Sequence, residues 1–316
     1  MGAAANAAAG LAQLDALAAE RGLTLRTDAP LAPLTTLRVG GPADRLADAR
    51  DRDGLLALLR IARQAEVPAF VLGNGSDLVV ADAGIRGLVI RNRAKDAAMV
   101  DGLLIAEAGS PMAMLVKRCT AEALSGLEFG ISIPGTLGGA VWANAGAHDG
   151  EMRDVIEWLD AWQPGSDTVA RLAPAECAFA YRESRFKHGD EVVLAAAIRL
   201  QPGDADTIAA EVAAHQARRQ ATQPLADQNA GSVFRNPPDD HAGRLIEAAG
   251  LKGHRLGSAT VSTLHANFIV TDRAGRAADV RALGDLVRAT VADRFGVQLA
   301  YEIEFVGEWD AREGQA

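Results

Sequence analysis

The segment Gly126–Met152 reads GLEFGISIPGTLGGAVWANAGAHDGEM and is rich in glycine and alanine. It holds too many flexible residues for regular secondary structure and too many apolar residues for an exposed linker. We therefore expect a buried loop that faces a ligand. The small side chains of Ile133–Gly139 and Asn144–Gly146 let a flat or extended ligand lie against the backbone. The alternative interpretation is close backbone packing inside a core.

A second glycine-bearing loop, Leu72–Asp77, follows the predicted strand Ala69–Leu72. Its glycines let successive backbone N–H groups turn toward a bound anion. The Rossmann fingerprint needs a third glycine where Leu78 stands, so a nicotinamide site of that type is disfavoured. Taken singly, the loop is typical of an ordinary turn at a strand end. Together, the two loops predict a cofactor whose pyrophosphate is held by backbone amides.

Length and composition describe a folded globular protein. The 316 residues suggest two domains at roughly 150 residues each. Hydrophobic residues make up 49% and charged residues 23%, which are ordinary globular values. The net charge of -9 argues against a broad nucleic-acid surface, but it leaves room for a local basic pocket that binds a phosphorylated ligand.

Several classes of protein are disfavoured. Cys119 and Cys177 match no disulfide framework, redox pair or zinc spacing, so we expect a reducing cytoplasm. The histidines show no ligand spacing, and we expect no metal. The N-terminus has no basic region before its alanines, which disfavours a secretory signal, and no apolar stretch is long enough to span a bilayer. We expect the first ten residues to be a frayed tail.

Helices and strands alternate irregularly along the chain, which predicts the α+β class. The turn Gln201–Asp204 places a domain boundary near residue 203, giving a tail and helix over 1–20, a first region over 21–203 and a second domain over 204–316. The predicted helices cover 11–18, 53–65, 111–124, 207–221, 241–249 and 277–295. The predicted strands cover 69–72, 87–91, 103–108, 155–162, 169–172, 192–200, 231–237, 266–271 and 297–306.

Several long segments, in order along the chain, resemble the UDP-N-acetylenolpyruvoylglucosamine reductase family, also called the MurB family. The family completes UDP-N-acetylmuramic acid for peptidoglycan, which serves cell-wall biogenesis, cell shape and cell division. The likeness extends over most of the chain, from about residue 35 to residue 307. It is carried by TLRVGGPA from Thr36, LGNGSDL from Leu72, the Gly126–Met152 segment, YRESRFK from Tyr181, AGSVFRNP from Ala230, AGRLIEAAGLKG from Ala242, HANFIV from His265 and LAYEIEFVG from Leu299.

The resemblance implies a two-part FAD-binding region of the vanillyl-alcohol-oxidase (PCMH) type over 21–203, followed by an α+β substrate-binding domain. It implies non-covalent FAD and NADPH as co-substrate. Asp77 stands where the family usually has asparagine, so we leave it out of the site. The implied cofactor-binding residues are Gly73, Asn74, Gly75, Ser76, Pro134, Gly135, Thr136, Gly138, Gly139, Asn144 and Gly146.

For catalysis, the resemblance implies hydride transfer from flavin N5 to C3 of the enolpyruvyl group and proton transfer from Ser232 to C2. A hydroxyl is a weak acid, but the enolate-like carbon is strongly basic, so positioning matters more than acidity. Arg182 and Glu302 match the family's active-site arginine and glutamate, and both would stabilise the developing charge. Tyr181, Arg235 and Asn236 are the implied substrate-binding residues, with Arg235 standing where the family often has lysine.

Each of these residues also has a simpler interpretation. Ser232 alone would be a small solvent-facing strand residue, Arg182 a surface salt bridge and Glu302 an edge-strand charge. His265 and Asn267 could line the pocket, although a histidine entering an apolar strand is more often a hydrogen-bonded core residue. A hydrolase triad of Ser232, His265 and Glu302 is rejected because the G-x-S-x-G elbow is absent.

Two rival functions remain open at this point. An FAD oxidase of the same fold would use oxygen as acceptor, and a non-catalytic flavin or nucleotide sensor would keep the loops without a working site. The expected partner is a UDP-linked enolpyruvyl sugar, with no nucleic acid and no membrane, and we expect a monomer. The YRES motif without a long later insertion suggests the shorter substrate-domain subtype of the family.

Overall fold

The computed structural model describes residues 3–309. Its helices are α1 Ala3–Glu20, α2 Arg52–Gln64, α3 Met112–Ala121, α4 Leu137–Trp142, α5 Met152–Val155, α6 Ala205–Thr222, α7 Ala242–Ala248 and α8 Ala277–Phe295. Its strands are β1 Arg26–Pro30, β2 Pro42–Ala49, β3 Ala69–Leu72, β4 Leu78–Val80, β5 Ile85–Asn92, β6 Ala97–Val100, β7 Leu103–Glu107, β8 Leu124–Ser125, β9 Gly146–Ala147, β10 Gly150–Glu151, β11 Ile156–Gln163, β12 Thr168–Leu172, β13 Val192–Arg199, β14 Gln201–Pro202, β15 Gln228–Asn229, β16 Arg255–Leu256, β17 Ala259–Val261, β18 Ile269–Thr271 and β19 Glu304–Val306.

The chain divides into two compact units, and both are assembled from separate segments. The first comprises 3–27, Arg45–Asn74 and Gly87–Arg218; the second comprises Asp28–Asp44, Gly75–Arg86 and 219–309. The predicted boundary lay near residue 203, whereas the units divide between Arg218 and Arg219, within α6. The early segments join the second unit because the side chains of Leu37, Val39 and Val79 are buried in its core. The assignment of functions to 21–203 and 204–316 stays a prediction.

An antiparallel sheet of five strands organises one half of the first unit. Its order is β12-β11-β13-β7-β6. Leu104 and Leu159 project into a core that also buries Leu115 of α3 and Leu137 of α4. Because β13 lies at the centre with Val193–Ile198 almost wholly buried, its near-continuous apolar run fits a strand covered on both faces.

A second core of the first unit forms under α1 and α2, next to the sheet with the order β1-β2-β5-β3. Asp51 caps the start of α2, and its carboxylate accepts a hydrogen bond of 2.7 Å from the Gly54 N–H. Its leucines are buried at helical spacing, as predicted. The predicted frayed tail is wrong for residues 3–10, which belong to α1. Residues 1 and 2 lie outside the described part.

The second unit packs α7 and α8 over the antiparallel sheet β15-β18-β17-β16. A further pair of strands joins distant parts of the sequence, since β19 runs parallel to β4 with Glu304 opposite Leu78. α8 is capped from the same early segment, because the Asp82 carboxylate accepts hydrogen bonds from the N–H groups of Ala277 at 2.8 Å and Ala278 at 3.2 Å.

Three strands of the second unit are shorter than predicted. The expected strand over 231–237 contributes only the isolated bridge between Phe234 and Tyr301. The expected strands over 266–271 and 297–306 are shortened to β18 and β19. Within this segment the Phe234 N–H donates to a side chain, the Asn267 amide oxygen, at 3.0 Å. Among the described helices, none is long and apolar enough to cross a membrane.

Candidate active site

Gly73 and Asn74, at the start of one predicted cofactor loop, lie against the other predicted loop, Pro134–Gly139, in the first unit. A Cβ atom added to Gly73 would stand 2.7 Å from the Thr136 hydroxyl oxygen, so only glycine fits this approach. The Asn74 amide nitrogen donates to the carbonyl oxygen of Pro134 at 3.0 Å. Gly135 is fixed as well, because its carbonyl oxygen accepts from the Met112 N–H at 3.1 Å.

The Gly126–Met152 segment is more regular than predicted, because it contains α4. Thr136 caps this helix, and its hydroxyl accepts from the Gly139 N–H at 3.4 Å. Gly138 packs against Ala108, whose Cβ would lie 2.9 Å from a Cβ added to the glycine. Gly139 differs, because it is exposed and an added Cβ would meet nothing nearer than the Thr136 hydroxyl at 3.7 Å.

Gly139 therefore gives a test of whether a ligand lies on this loop. Replacing an exposed helical glycine by alanine should stabilise the apoprotein by about 0.5–1 kcal/mol. If the cofactor uses the open space, Gly139→Ala should at the same time weaken FAD binding by at least ~10-fold, measured by quenching of flavin fluorescence on titration.

The matched change Gly138→Ala should lower apoprotein stability because of the clash with Ala108. Unchanged FAD affinity in Gly139→Ala would remove this residue from the site.

Asn144 and Gly146 follow α4 in a tightly bonded turn. Asn144 has no exposed surface, and its backbone φ is 42°. Its amide nitrogen donates to a Glu151 carboxylate oxygen at 2.8 Å and to the Ala180 carbonyl oxygen at 2.9 Å. Gly146 pairs with Glu151 between β9 and β10, where an added Cβ would lie 2.6 Å from the Gly150 carbonyl oxygen.

Arg182 is held in an unusual backbone conformation next to this turn. Its φ is 54°, a left-handed value that is unfavourable for a side chain with a Cβ. The guanidinium Nη2 donates to the Gly146 carbonyl oxygen at 2.8 Å, and Cζ lies 5.0 Å from the ring centroid of the exposed Tyr181. The structure thus brings Arg182, Tyr181, Gly146 and Asn144 together within the first unit.

Gly75 and Ser76 belong to the second unit, because the division falls directly after Asn74. Gly75 has φ 62°, and an added Cβ would lie 2.5 Å from the Leu34 carbonyl oxygen. Its own carbonyl oxygen accepts from the Thr36 N–H at 2.9 Å. The Thr36 hydroxyl also donates to the Asn229 carbonyl oxygen at 2.7 Å. Thr36 of the TLRVGGPA motif therefore links Gly75 to Asn229 within this unit.

Ser232 and Glu302 are neighbours in the second unit. The Glu302 N–H donates to the Val233 carbonyl oxygen at 2.8 Å, and the next residues form the bridge between Phe234 and Tyr301. Both Ser232 and Glu302 are partly exposed. The Ser232 hydroxyl makes no hydrogen bond within residues 3–309, which leaves it available to a ligand.

Two predicted substrate-binding residues, Arg235 and Asn236, follow shortly after Ser232 in the sequence. The Arg235 N–H donates to the Ala300 carbonyl oxygen at 2.9 Å, which fixes the backbone beneath its side chain. Asn236 is exposed, and its side-chain oxygen accepts from the Ala242 N–H at 3.1 Å at the start of α7. Asn236 therefore has a structural contact of its own in addition to any ligand role.

Asn267 is a residue whose role the sequence left open. It is buried, and its amide clamps the backbone of Phe234 by accepting from the N–H at 3.0 Å and donating to the carbonyl oxygen at 2.8 Å. His265 supports it, since His265 Nδ1 accepts from the Asn267 N–H at 3.2 Å. Burial lowers the pKa of His265, and its ring packs edge-on against Phe268. Asn267 thus fixes the backbone that follows Ser232, and His265 bonds to Asn267.

Asn267→Ala should lower the free energy of unfolding by about 2–4 kcal/mol. The change leaves the Phe234 N–H and carbonyl groups buried without partners, and each such group costs about 1–3 kcal/mol. Urea denaturation of the apoprotein measures the effect. An unfolding midpoint equal to that of the wild type would contradict the clamp.

One cavity of about 500 Å³ lies in the first unit and contains none of the predicted site residues. It is lined by Arg21, Arg60, Arg63, Gln64 and Asp167. Its arginines lie at or just beyond the C-terminal ends of α1 and α2, where positive charge offsets the helix dipoles. In the described part of the chain, no group of histidine, cysteine and acidic residues could hold a metal ion.

Comparison with known proteins agrees with this geometry. Residues 42–172 match the family model described as FAD binding domain, and residues 223–306 match the C-terminal domain of UDP-N-acetylenolpyruvoylglucosamine reductase. A chain with this FAD-binding domain ahead of this C-terminal domain is an FAD-dependent oxidoreductase. Together with the mixed helix and strand content, the two matches confirm the predicted fold class. Two features of the loops fit a cofactor that lies against the backbone. Gly139 is an exposed helical glycine with open space beside it, and Gly73 closely approaches Thr136.

Three similar proteins identify the family to which this chain belongs. UDP-N-acetylenolpyruvoylglucosamine reductase 2 of Symbiobacterium thermophilum is 45% identical over 90% of this chain and 92% of its own length. A reductase of Anaeromyxobacter dehalogenans is 47% identical over 92% of this chain and 87% of its own. The crystal structure of the Thermus caldophilus reductase (MurB) superimposes with a TM-score of 0.76 at 35% identity, covering 89% of this chain and 99% of that one. The chain belongs to the UDP-N-acetylenolpyruvoylglucosamine reductase family.

Proposed function

We propose that this protein uses NADPH and bound FAD to reduce UDP-N-acetylenolpyruvoylglucosamine to UDP-N-acetylmuramate. The observation that carries the proposal is the hydrogen bond from the Glu302 N–H to the carbonyl oxygen of Val233, the residue after Ser232, inside the domain that matches the reductase C-terminal family. FAD, when bound, supplies the hydride chemistry. The protein then has to bind and orient the sugar nucleotide, stabilise charge and deliver one proton.

Ser232 is assigned the proton transfer to C2. Its hydroxyl is partly exposed and is not committed to another group of the described chain, so it can approach a ligand closely. The backbone that follows Ser232 is fixed, by the Asn267 clamp on Phe234 and by the hydrogen bond from the Glu302 N–H to the Val233 carbonyl oxygen. A rigid backbone lets a weakly acidic hydroxyl act because the basic carbon is held within ~3 Å of it.

Glu302 and Arg182 are assigned to the charge that develops on the substrate. The planar guanidinium of Arg182 can engage a carboxylate or an enolate through two N–H groups. The proposed FAD contacts are the backbone groups of Gly73–Ser76 and Pro134–Gly139, which are held in place by the approaches described above. Tyr181, Arg235 and Asn236 are proposed to bind the sugar nucleotide.

The test follows NADPH absorbance with the purified, FAD-loaded protein in air, before and after addition of the sugar nucleotide. Rapid oxidation that requires the sugar nucleotide supports the reductase. Parallel double-reciprocal plots would show that the two substrates react in turn, and intersecting lines would count against that order. Slow oxidation that ignores the sugar nucleotide would reject the proposal in favour of an oxidase or a sensor. The cytoplasmic location and the monomeric state stay predictions.

A further inference from the structure

The side chain of Asn144 lies at the junction of three backbone segments. Besides its two donated hydrogen bonds, to Glu151 and to the Ala180 carbonyl oxygen, its amide oxygen accepts from the Arg153 N–H at 2.9 Å. Both amide hydrogens are therefore used, and the residue has no exposed surface. A ligand could reach this amide only if these bonds broke. The geometry does not suit the predicted role of Asn144 as a cofactor-binding residue.

The same bonds define the turn that carries Arg182. Ala180 and Glu183 exchange two backbone hydrogen bonds of 3.1 Å, and Arg182 lies between them. The Ala180 carbonyl group, at the start of this turn, accepts from Glu183 and from the Asn144 amide. The turn is thus tied to the Asn144 side chain at its first residue.

The guanidinium end of Arg182 is tied to the same network. Its Nη2 donates to the Gly146 carbonyl oxygen, and Gly146 pairs with Glu151, which is the other acceptor of the Asn144 amide. One amide group therefore braces both the backbone turn and the surface on which the arginine side chain rests. The left-handed φ of Arg182 makes such bracing necessary, because unconstrained arginine disfavours it.

We infer that Asn144 is a positioning residue that acts through Arg182 by holding the 180–183 turn and the Gly146 carbonyl group in register. The inference rests on the proposed function for the role of Arg182. It places the effect of Asn144 in the step that reduces the enolpyruvyl group, and it removes the residue from the set of cofactor contacts.

The test uses Asn144→Gly in the FAD-loaded protein. Glycine keeps the left-handed backbone that Asn144 adopts and deletes only the amide. We expect oxidation of the reduced enzyme by the sugar nucleotide to slow by ~10–100-fold, since small misplacements of a catalytic group cost about 100-fold. Reduction by NADPH and the FAD dissociation constant should stay within ~3-fold of wild type. Stopped-flow flavin absorbance separates the two half-reactions.

Coupling is tested on an Arg182→Gly background. If Asn144 acts through Arg182, Asn144→Gly should add less than ~3-fold to the effect of Arg182→Gly, because groups in one network are not additive. Asn144→Asp is a second variant that keeps the shape and loses both donors. The control is Asn92→Gly, which deletes another buried amide of the first unit, one that accepts from the Ala94 N–H. It should leave both half-reactions unchanged.

A measurement independent of turnover separates this inference from the proposed function. The amide hydrogens of Ala180 and Glu183 should exchange with solvent at least ~10-fold faster in Asn144→Gly than in wild type, because local opening becomes easier. Faster exchange in a protein that ignores the sugar nucleotide would support the bracing and reject the function. Unchanged exchange, or equal slowing of both half-reactions with weaker FAD binding, would overturn the inference.

Discussion

Ser232→Ala is expected to slow reduction of the sugar nucleotide by ~100–10,000-fold, the range that a positioned proton donor contributes. The hydroxyl has no hydrogen-bond partner within residues 3–309, so its removal leaves no buried group unsatisfied. Stability and FAD affinity should therefore match the wild type. The loss should appear in the half-reaction with the sugar nucleotide, while reduction by NADPH proceeds normally.

The measurement is single-turnover oxidation of the reduced enzyme, followed by flavin absorbance. Ser166→Ala is a suitable control, because Ser166 is an exposed serine in another turn, where its hydroxyl bonds to the Thr168 hydroxyl. A rate within ~10-fold of wild type for Ser232→Ala would exclude Ser232 as the proton donor. The proton would then have to come from a different group or from water.

Arg182→Gly should slow the same half-reaction by ~100–1,000-fold, the cost of losing a group that stabilises charge in the transition state. Glycine is the informative replacement because φ is 54° at this position, and it adopts that conformation without the penalty of a Cβ atom. The unfolding midpoint should therefore stay close to that of the wild type. Arg182→Lys should recover only part of the rate, since an ammonium group lacks the planar fork.

Arg199→Ala provides the control for loss of an arginine. Arg199 forms an exposed ion pair with Glu157, and exposed pairs contribute little to stability. Its removal should change neither half-reaction. If Arg182→Gly retained more than a tenth of the wild-type rate, the guanidinium would not be acting on the reacting centre.

Much of the fold could be predicted from local patterns. The leucines of α2 recur at helical spacing, and the helix ends within two residues of the prediction. The pairing of Gly73 with the Pro134–Gly139 loop was also foreseeable, because two glycine-bearing segments that both follow apolar stretches suggest a shared backbone site. The helix α4 was missed, although its cap at Thr136 is a local signal within that loop.

Other features could not be read from the sequence, because they depend on tertiary contacts. The left-handed φ of Asn144 and Arg182 is imposed by the bonds around them, and neither residue type demands it. Likewise, nothing local to Leu37 or Val79 shows that these residues are buried with the C-terminal helices. Asn267 could have been recognised only as a polar residue inside an apolar strand pattern, which does not reveal its partner.

The parallel pairing of β4 with β19 has a consequence for how the protein is made. β4 is synthesised early, yet its strand partner at Glu304–Val306 is synthesised near the end of the chain. At translation rates of about 5–20 residues per second, β4 waits on the order of ten to forty seconds before that partner exists. Until residues 230–291 are made, Leu37, Val39 and Val79 also lack most of the core in which they are buried. Nascent chains should therefore depend on chaperones until the last strand leaves the ribosome, and contacts between such distant segments should make folding slow.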